Sequence, residues 1–218
     1  EVTADDLGHT GLVLAGTTDV KTHLISVTPL NDPPVLDLTS AIPLAVLEGS
    51  SPTVITGWLL NDVDEQETAS PNDTLEVTFR LITAAGVSTA TKGSVTVSAG
   101  TTGAIVTIVN ASTVRVRGTE TALDAILAGT NGSVTYTLPD PDFNDNNGGP
   151  VRIEVTADDL GHTGLIVAGT SDVETHTISV TPVNDPPIVT VTAAVPTTIL
   201  EGAAPTIVTG ITVDDVDE

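Results

Sequence analysis

Residues 1–34, EVTADDLGHTGLVLAGTTDVKTHLISVTPLNDPP, return at 154–187 without a gap and with six substitutions. The offset is 154 − 1 = 153. It persists further along, where VLEGSSPTVITGWLLNDVDE at 46–65 matches ILEGAAPTIVTGITVDDVDE at 199–218. A period this long describes a domain, because solenoid repeats run about 20–45 residues. The chain is therefore expected to hold one whole repeat, 33–186. Residues 1–32 would be the C-terminal part of a preceding repeat, and 187–218 the N-terminal part of a following one. Neither part has enough strands to bury a core alone, so each should need something to dock on. The boundaries fall at Asn-Asp-Pro-Pro, 31–34 and 184–187. Proline lacks an N–H and pushes the residue before it into an extended conformation, so this tetrapeptide is neither helix nor central strand.

Between the boundaries the pattern is that of β structure. TLEVTFRLI at 74–82 alternates Leu75, Val77, Phe79 and Leu81 with Glu76, Thr78 and Arg80, the period of a half-buried strand. Further strands are expected at 93–99, 104–110, 113–118, 133–138, 151–157 and 174–182. One helix is expected over 119–129, where Leu123, Ile126 and Leu127 share a face and Gly129 suits the stop. Many short strands between turn residues indicate an all-β, antiparallel β-sandwich with one short helix, in tandem repeats.

Composition narrows the function. The chain carries 29 Asp and Glu against 6 Lys and Arg, a formal net charge of −23. No basic surface for phosphate can be built from that, which argues against nucleic acid as a partner. Hydrophobic residues make up 39%, which favours a folded chain over an acidic disordered one. There is no cysteine, so neither a disulfide framework nor thiolate metal chemistry is available. The absence of Met leads us to expect a segment of something longer and, with no Cys, a chain that resists oxidation. No apolar run is long enough to insert in a membrane. Aromatics are 2%, too few for stacking platforms or for the aromatic subsites of a glycosidase cleft, and no serine, histidine and acid form a triad pattern. No enzymatic activity is expected.

The acids themselves are clustered and repeated. Asn31-Asp32 recurs as Asn184-Asp185, Glu48 as Glu201, and Asp62-x-Asp64-Glu65 as Asp215-x-Asp217-Glu218. Asp158-Asp159 repeats Asp5-Asp6, while DPDFNDNNGG at 140–149 occurs once and reads equally as a metal loop or a turn-rich connection. Calcium takes six to eight hard oxygen ligands from carboxylates, amides and carbonyls. Each motif alone is ordinary, but their recurrence in order at one period points to metal.

The order LEG, DVDE, TADDLG, VNDPP resembles the cadherin-like calcium-binding repeats of very large bacterial surface and secreted proteins, including RTX-type adhesins. ALDAILAGTNGSVTYTLPDPDFNDNNGG at 122–149 is also similar to the stretch before the penultimate strands in that group. The resemblance implies an antiparallel Greek-key β-sandwich of cadherin or immunoglobulin type, with Ca2+ between consecutive repeats. One junction would use Asn31, Asp32, Glu48, Asp62, Asp64 and Asp159, with Asp158 and Glu65 as alternates and Asp73 nearby. A second would use Asn184, Asp185, Glu201, Asp215 and Asp217. The implied partners are neighbouring repeats of the same chain, with head-to-tail self-assembly through Asp6 as a further expectation. The implied setting is secreted or cell-surface, bacterial and extracellular. The role is a rigid spacer in an adhesin or fibre; alternatives are a calcium-dependent carbohydrate- or protein-binding module, or an accessory domain of a large secreted enzyme. His9, His23, His162 and His176 lack metal-ligand spacing, with His176 expected at a core edge and Trp58 in packing.

Overall fold

The computed structural model describes residues 1–5, 18–27, 30–50, 52–64, 74–161, 169–196 and 198–217. The expectations placed on Asp6, His9, Glu65, Asp73, His162 and Glu218 lie outside the described residues. The chain divides into two compact units, Glu1–Leu30 and Asn31–Glu218. In the first, β1 (Val2–Asp5) pairs antiparallel with β2 (Thr18–Lys21), and both are exposed along their length.

The second unit begins with four short strands, β3 (Val35–Asp37), β4 (Ala45–Leu47), β5 (Thr53–Ile55) and β6 (Leu59–Asn61). Longer ones follow: β7 (Leu75–Ile82), β8 (Ser94–Ser98), β9 (Ile105–Asn110) and β10 (Thr113–Gly118). After the helix α1 (Glu120–Leu127) come β11 (Ser133–Thr137), β12 (Val151–Asp158) and β13 (Ser171–Thr181). The hairpin of β14 (Ile188–Val195) and β15 (Thr209–Asp214) closes the chain. One sheet has the order β4-β13-β12-β7-β10-β9, a second has β5-β11-β8, and β3 pairs with β6.

The alternation read in the sequence is what builds this sandwich. Leu75, Val77, Phe79 and Leu81 of β7 and Val151, Ile153, Val155 and Ala157 of β12 are all 1% exposed or less. Packed in the same core are Ile55, Val95, Val134 and Tyr136, with Trp58 stacked on Phe79 at a centroid distance of 5.5 Å. His176 lies buried edge-on to Trp58, and its Nε2 meets the Pro43 carbonyl. The helix starts where Thr119 accepts the Ala122 N–H in an N-cap. Its apolar face, Leu123, Ile126 and Leu127, closes one side of the core.

Two features place the acids. First, β4 runs parallel to the end of β13, with Val46 opposite Val180 and Leu47 opposite Thr181. Every other described pairing is antiparallel. Second, the repeated segments adopt one register. Val35 faces Asn61 in β3 and β6, and Ile188 faces Asp214 in β14 and β15, both shifted by 188 − 35 = 153. Likewise Val2 faces Lys21 and Val155 faces Glu174.

Truncating the stacked ring tests where the core sits. Phe79→Ala is expected to destabilise the second unit by about 3–5 kcal/mol, the usual result for a buried aromatic. Urea unfolding followed by the single tryptophan, Trp58, measures it directly.

Candidate metal centre

The acids form two separate clusters within the second unit. The first surrounds Asn31 and Asp32. The Asn31 amide donates to Asp159 Oδ2 at 2.8 Å and to the Thr170 hydroxyl at 3.1 Å. The Asp32 N–H donates to Asp64 Oδ2 at 2.6 Å, and the Asp64 N–H to Asp62 Oδ1 at 3.0 Å. Asp62 and Asp159 are 0% exposed and Asp64 is 2%. The TADDLG motif achieves this by a reversal: Leu160 and Gly161 take left-handed φ of 59° and 68°. The turn lets Asp159 Oδ1 accept from the N–H groups of both Gly161 and Thr170. Asp158 accepts the Leu160 N–H at 2.7 Å and so helps to hold the turn.

The second cluster lies at the other boundary, around Asp185. Glu48, Asp185 and Asp217 each place a carboxylate oxygen within 4.8 Å of the other two. The Asp185 N–H donates to Asp217 Oδ2 at 2.6 Å and the Asp217 N–H to Asp215 Oδ1 at 3.1 Å. These bonds duplicate those of Asp32, Asp64 and Asp62. Glu48 is tied in by its own backbone, whose N–H donates to the Thr181 carbonyl at 2.9 Å. Its carboxylate accepts the Val183 N–H at 2.8 Å and the Asn144 amide at 3.0 Å.

Glu48 therefore corrects the sequence reading, which placed it with Asn31 and Asp32. The parallel pairing of β4 with the end of β13 carries it to the opposite boundary. Glu201, grouped with Asp185 in the sequence reading, is not part of the convergence of Glu48, Asp185 and Asp217. Glu201 is an exposed turn residue with no described bond to Asn184, Asp185, Asp215 or Asp217. Asn184 is exposed, and its amide donates to the Asp185 carbonyl at 3.0 Å.

The loop at 140–149 resolves into mostly structural contacts. Asn144, 6% exposed, accepts the N–H groups of Asn146 and Asn147 while its amide reaches Glu48. Asp145 accepts the Val180 N–H and the Ser179 hydroxyl. Phe143 packs so closely on Gly148 that an added Cβ there would fall 2.1 Å from the ring. Through these contacts the loop seats Asn144 against Glu48. It also supplies Asp142, which the sequence reading did not assign to either junction. Asp142 lines a cavity of about 250 Å³ with Asp185, Pro186, Ile188, Asp214 and Val216.

Electrostatics separate the acids. Burial pushes Asp62 up; the Asp64 N–H partly offsets this, and the charges of Asp64, Asp159 and Glu120 add to the rise. Its Oδ2 is buried with no hydrogen-bond partner among the described residues, which costs free energy unless a cation or proton arrives. Desolvation, then the charges of Asp217, Asp142, Glu48 and Asp215, push Asp185 up. Burial would also raise Asp159, but the Thr170 hydroxyl, the Gly161 N–H and the Asn31 amide outweigh it and hold it down.

The donor sets are oxygen only, which suits a hard cation and not zinc or copper. The chain matches no protein-family model, no curated protein and no solved structure. The fold and the two clusters define it as an all-β sandwich with acid-lined ends.

The pKa directions give a sign. For Asp62 and Asp185 the raised folded value means that the folded state takes up protons first. Calcium-free stability should therefore rise as pH falls from 7 through their folded values. Below about pH 4 the contribution of Asp159, present only above the ordinary carboxylate range, is lost as its lowered folded value is passed. Thermal melts in metal-stripped buffer should show a maximum at mildly acidic pH; a steady fall from pH 7 would contradict it. Asp62→Asn should raise the calcium-free melting temperature at pH 7 by about 2–4 °C, the shift that ~1 kcal/mol gives in a domain this size.

Proposed function

We propose that the chain is a calcium-rigidified spacer repeat of a bacterial extracellular adhesin or fibre, of the cadherin-like kind its motifs resemble, with no catalytic role. The observation that carries this reading is the convergence of Glu48, Asp185 and Asp217 within 4.8 Å at a repeat boundary. The three come from the turn after β4, from the joint, and from the loop after β15. A cation shared among them would link the end of one repeat to the start of the next.

The mechanism follows from charge. Like-charged carboxylates this close repel, and no described ion pair involves Glu48, Asp185 or Asp217. Without a cation the joint opens at little cost, since the remaining ties are hydrogen bonds such as Asp185 to Asp217. With calcium bound, separating the repeats means breaking ligand contacts. The proline pair after each Asn-Asp removes backbone freedom in advance, so less entropy is lost on closure. By the 153-residue offset, the glutamate serving Asn31 and Asp32 would belong to the repeat before. Sites of weak affinity would suffice where calcium is millimolar, as outside cells.

Binding to the folded state alone stabilises it by about 2.7 kcal/mol when free calcium is 100-fold above the dissociation constant. Calcium added to the stripped chain should therefore raise the melting temperature, and Glu48→Gln or Asp217→Asn should each remove a large part of that gain. A melting temperature indifferent to calcium in the unmodified chain would sink the reading.

A further inference from the structure

The helix α1 touches the first cluster, a link that no motif in the chain announces. Glu120 Oε2 accepts the Asp62 N–H at 3.2 Å, and Asp124 Oδ1 accepts the Leu60 N–H at 2.9 Å. The spacing explains why both bonds form at once. Four residues along a helix advance about 6 Å, and two along a strand about 6.6 Å. Two carboxylates on one helix face thus meet two alternate N–H groups of the chain running through β6.

This edge-capping needs only an acceptor, and an amide oxygen would serve it as well. Asp124 does no more than that. At Glu120 the same bond delivers a second carboxylate to Asp62, whose own Oδ2 is fully buried and has no hydrogen-bond partner among the described residues. The neighbouring oxygens are engaged. Asp64 Oδ2 takes the Asp32 N–H, and both oxygens of Asp159 take protein donors. The residue that opens α1 is thus bonded to the backbone of the residue that carries this buried oxygen.

We propose that Glu120 is a ligand of a divalent cation at the first cluster, shared with Asp62 Oδ2 and supplied from α1 rather than from the joint. The proposal rests on the calcium reading above and adds a residue and a consequence to it. Cation binding would be felt by the helix and by Leu123, Ile126 and Leu127 beneath it, not only by the joint. The state of the first joint would in this way be coupled to the stability of the repeat that follows it.

The test uses the full chain carrying Glu48→Gln and Asp217→Asn, which silence the second cluster, and calcium binding by calorimetry. This background should still bind calcium. Adding Glu120→Gln, which keeps the acceptor and removes the charge, should weaken that binding about fivefold or more, since ligand charge sets affinity in such sites. It should also shrink the calcium-induced rise in melting temperature. Adding Asp124→Asn instead should leave the affinity unchanged, and Glu120→Asp should retain part of it. Calcium affinity unaltered by Glu120→Gln would overturn the proposal while leaving the joint reading intact. So would a background that binds no calcium while the unmodified chain does. If the unmodified chain binds none either, the joint reading itself fails.

Discussion

The structure depends on keeping carboxylates together that repel one another. In a chain of net charge −23, Glu48, Asp185 and Asp217 converge at one boundary, and Asp62, Asp64 and Asp159 are buried near the other. The backbone holds them there by donating N–H groups to them. Asp32 donates to Asp64 and Asp64 to Asp62, and the same chain of bonds runs from Asp185 to Asp217 to Asp215. Such bonds fix geometry and offset part of the desolvation cost, but they do not cancel net charge. The two clusters share a design and differ in depth. Around Asp62 the acids are buried, whereas Asp185 and Asp215 are half-buried and Asp217 is exposed.

The rest of the sandwich serves to aim these ends. The apolar alternation of β7 and β12 fixes the sheet, and the sheet fixes where β13 stops. The parallel pairing of β4 then decides which end receives Glu48. The loop at 140–149 braces the same residue through Asn144. A single glutamate is thereby held by the last long strand, by a loop and by the first residues of the joint.

Much of this is legible in the residues. The long strands and the helix fall within a few residues of their expected bounds, because period-two and period-3.6 patterns over six or more residues leave little ambiguity. The strands β3 to β6 escape such a reading, since three residues between prolines and glycines carry no period. The misplacement of Glu48 has the same origin. Its position depends on a three-residue parallel pairing with a strand more than a hundred residues away, which no local pattern encodes. Asp142 falls in the 140–149 segment that reads equally as a metal loop or a turn-rich connection, whereas Glu120 goes unnoticed because it lies in no segment repeated within the chain. By contrast, Asn31, Asp32, Asp62, Asp64 and Asp159 come together as the repeated motifs implied, and so do Asp185, Asp215 and Asp217.

The central claim is that cation binding at the acid clusters fixes the joints between repeats. Small-angle scattering of the chain in calcium and after chelation measures this most directly. The account predicts an extended particle of well-defined maximum dimension with calcium, and a broader, more flexible distribution of distances without it. Identical scattering in the two conditions, with calcium binding verified in the same sample, would contradict it.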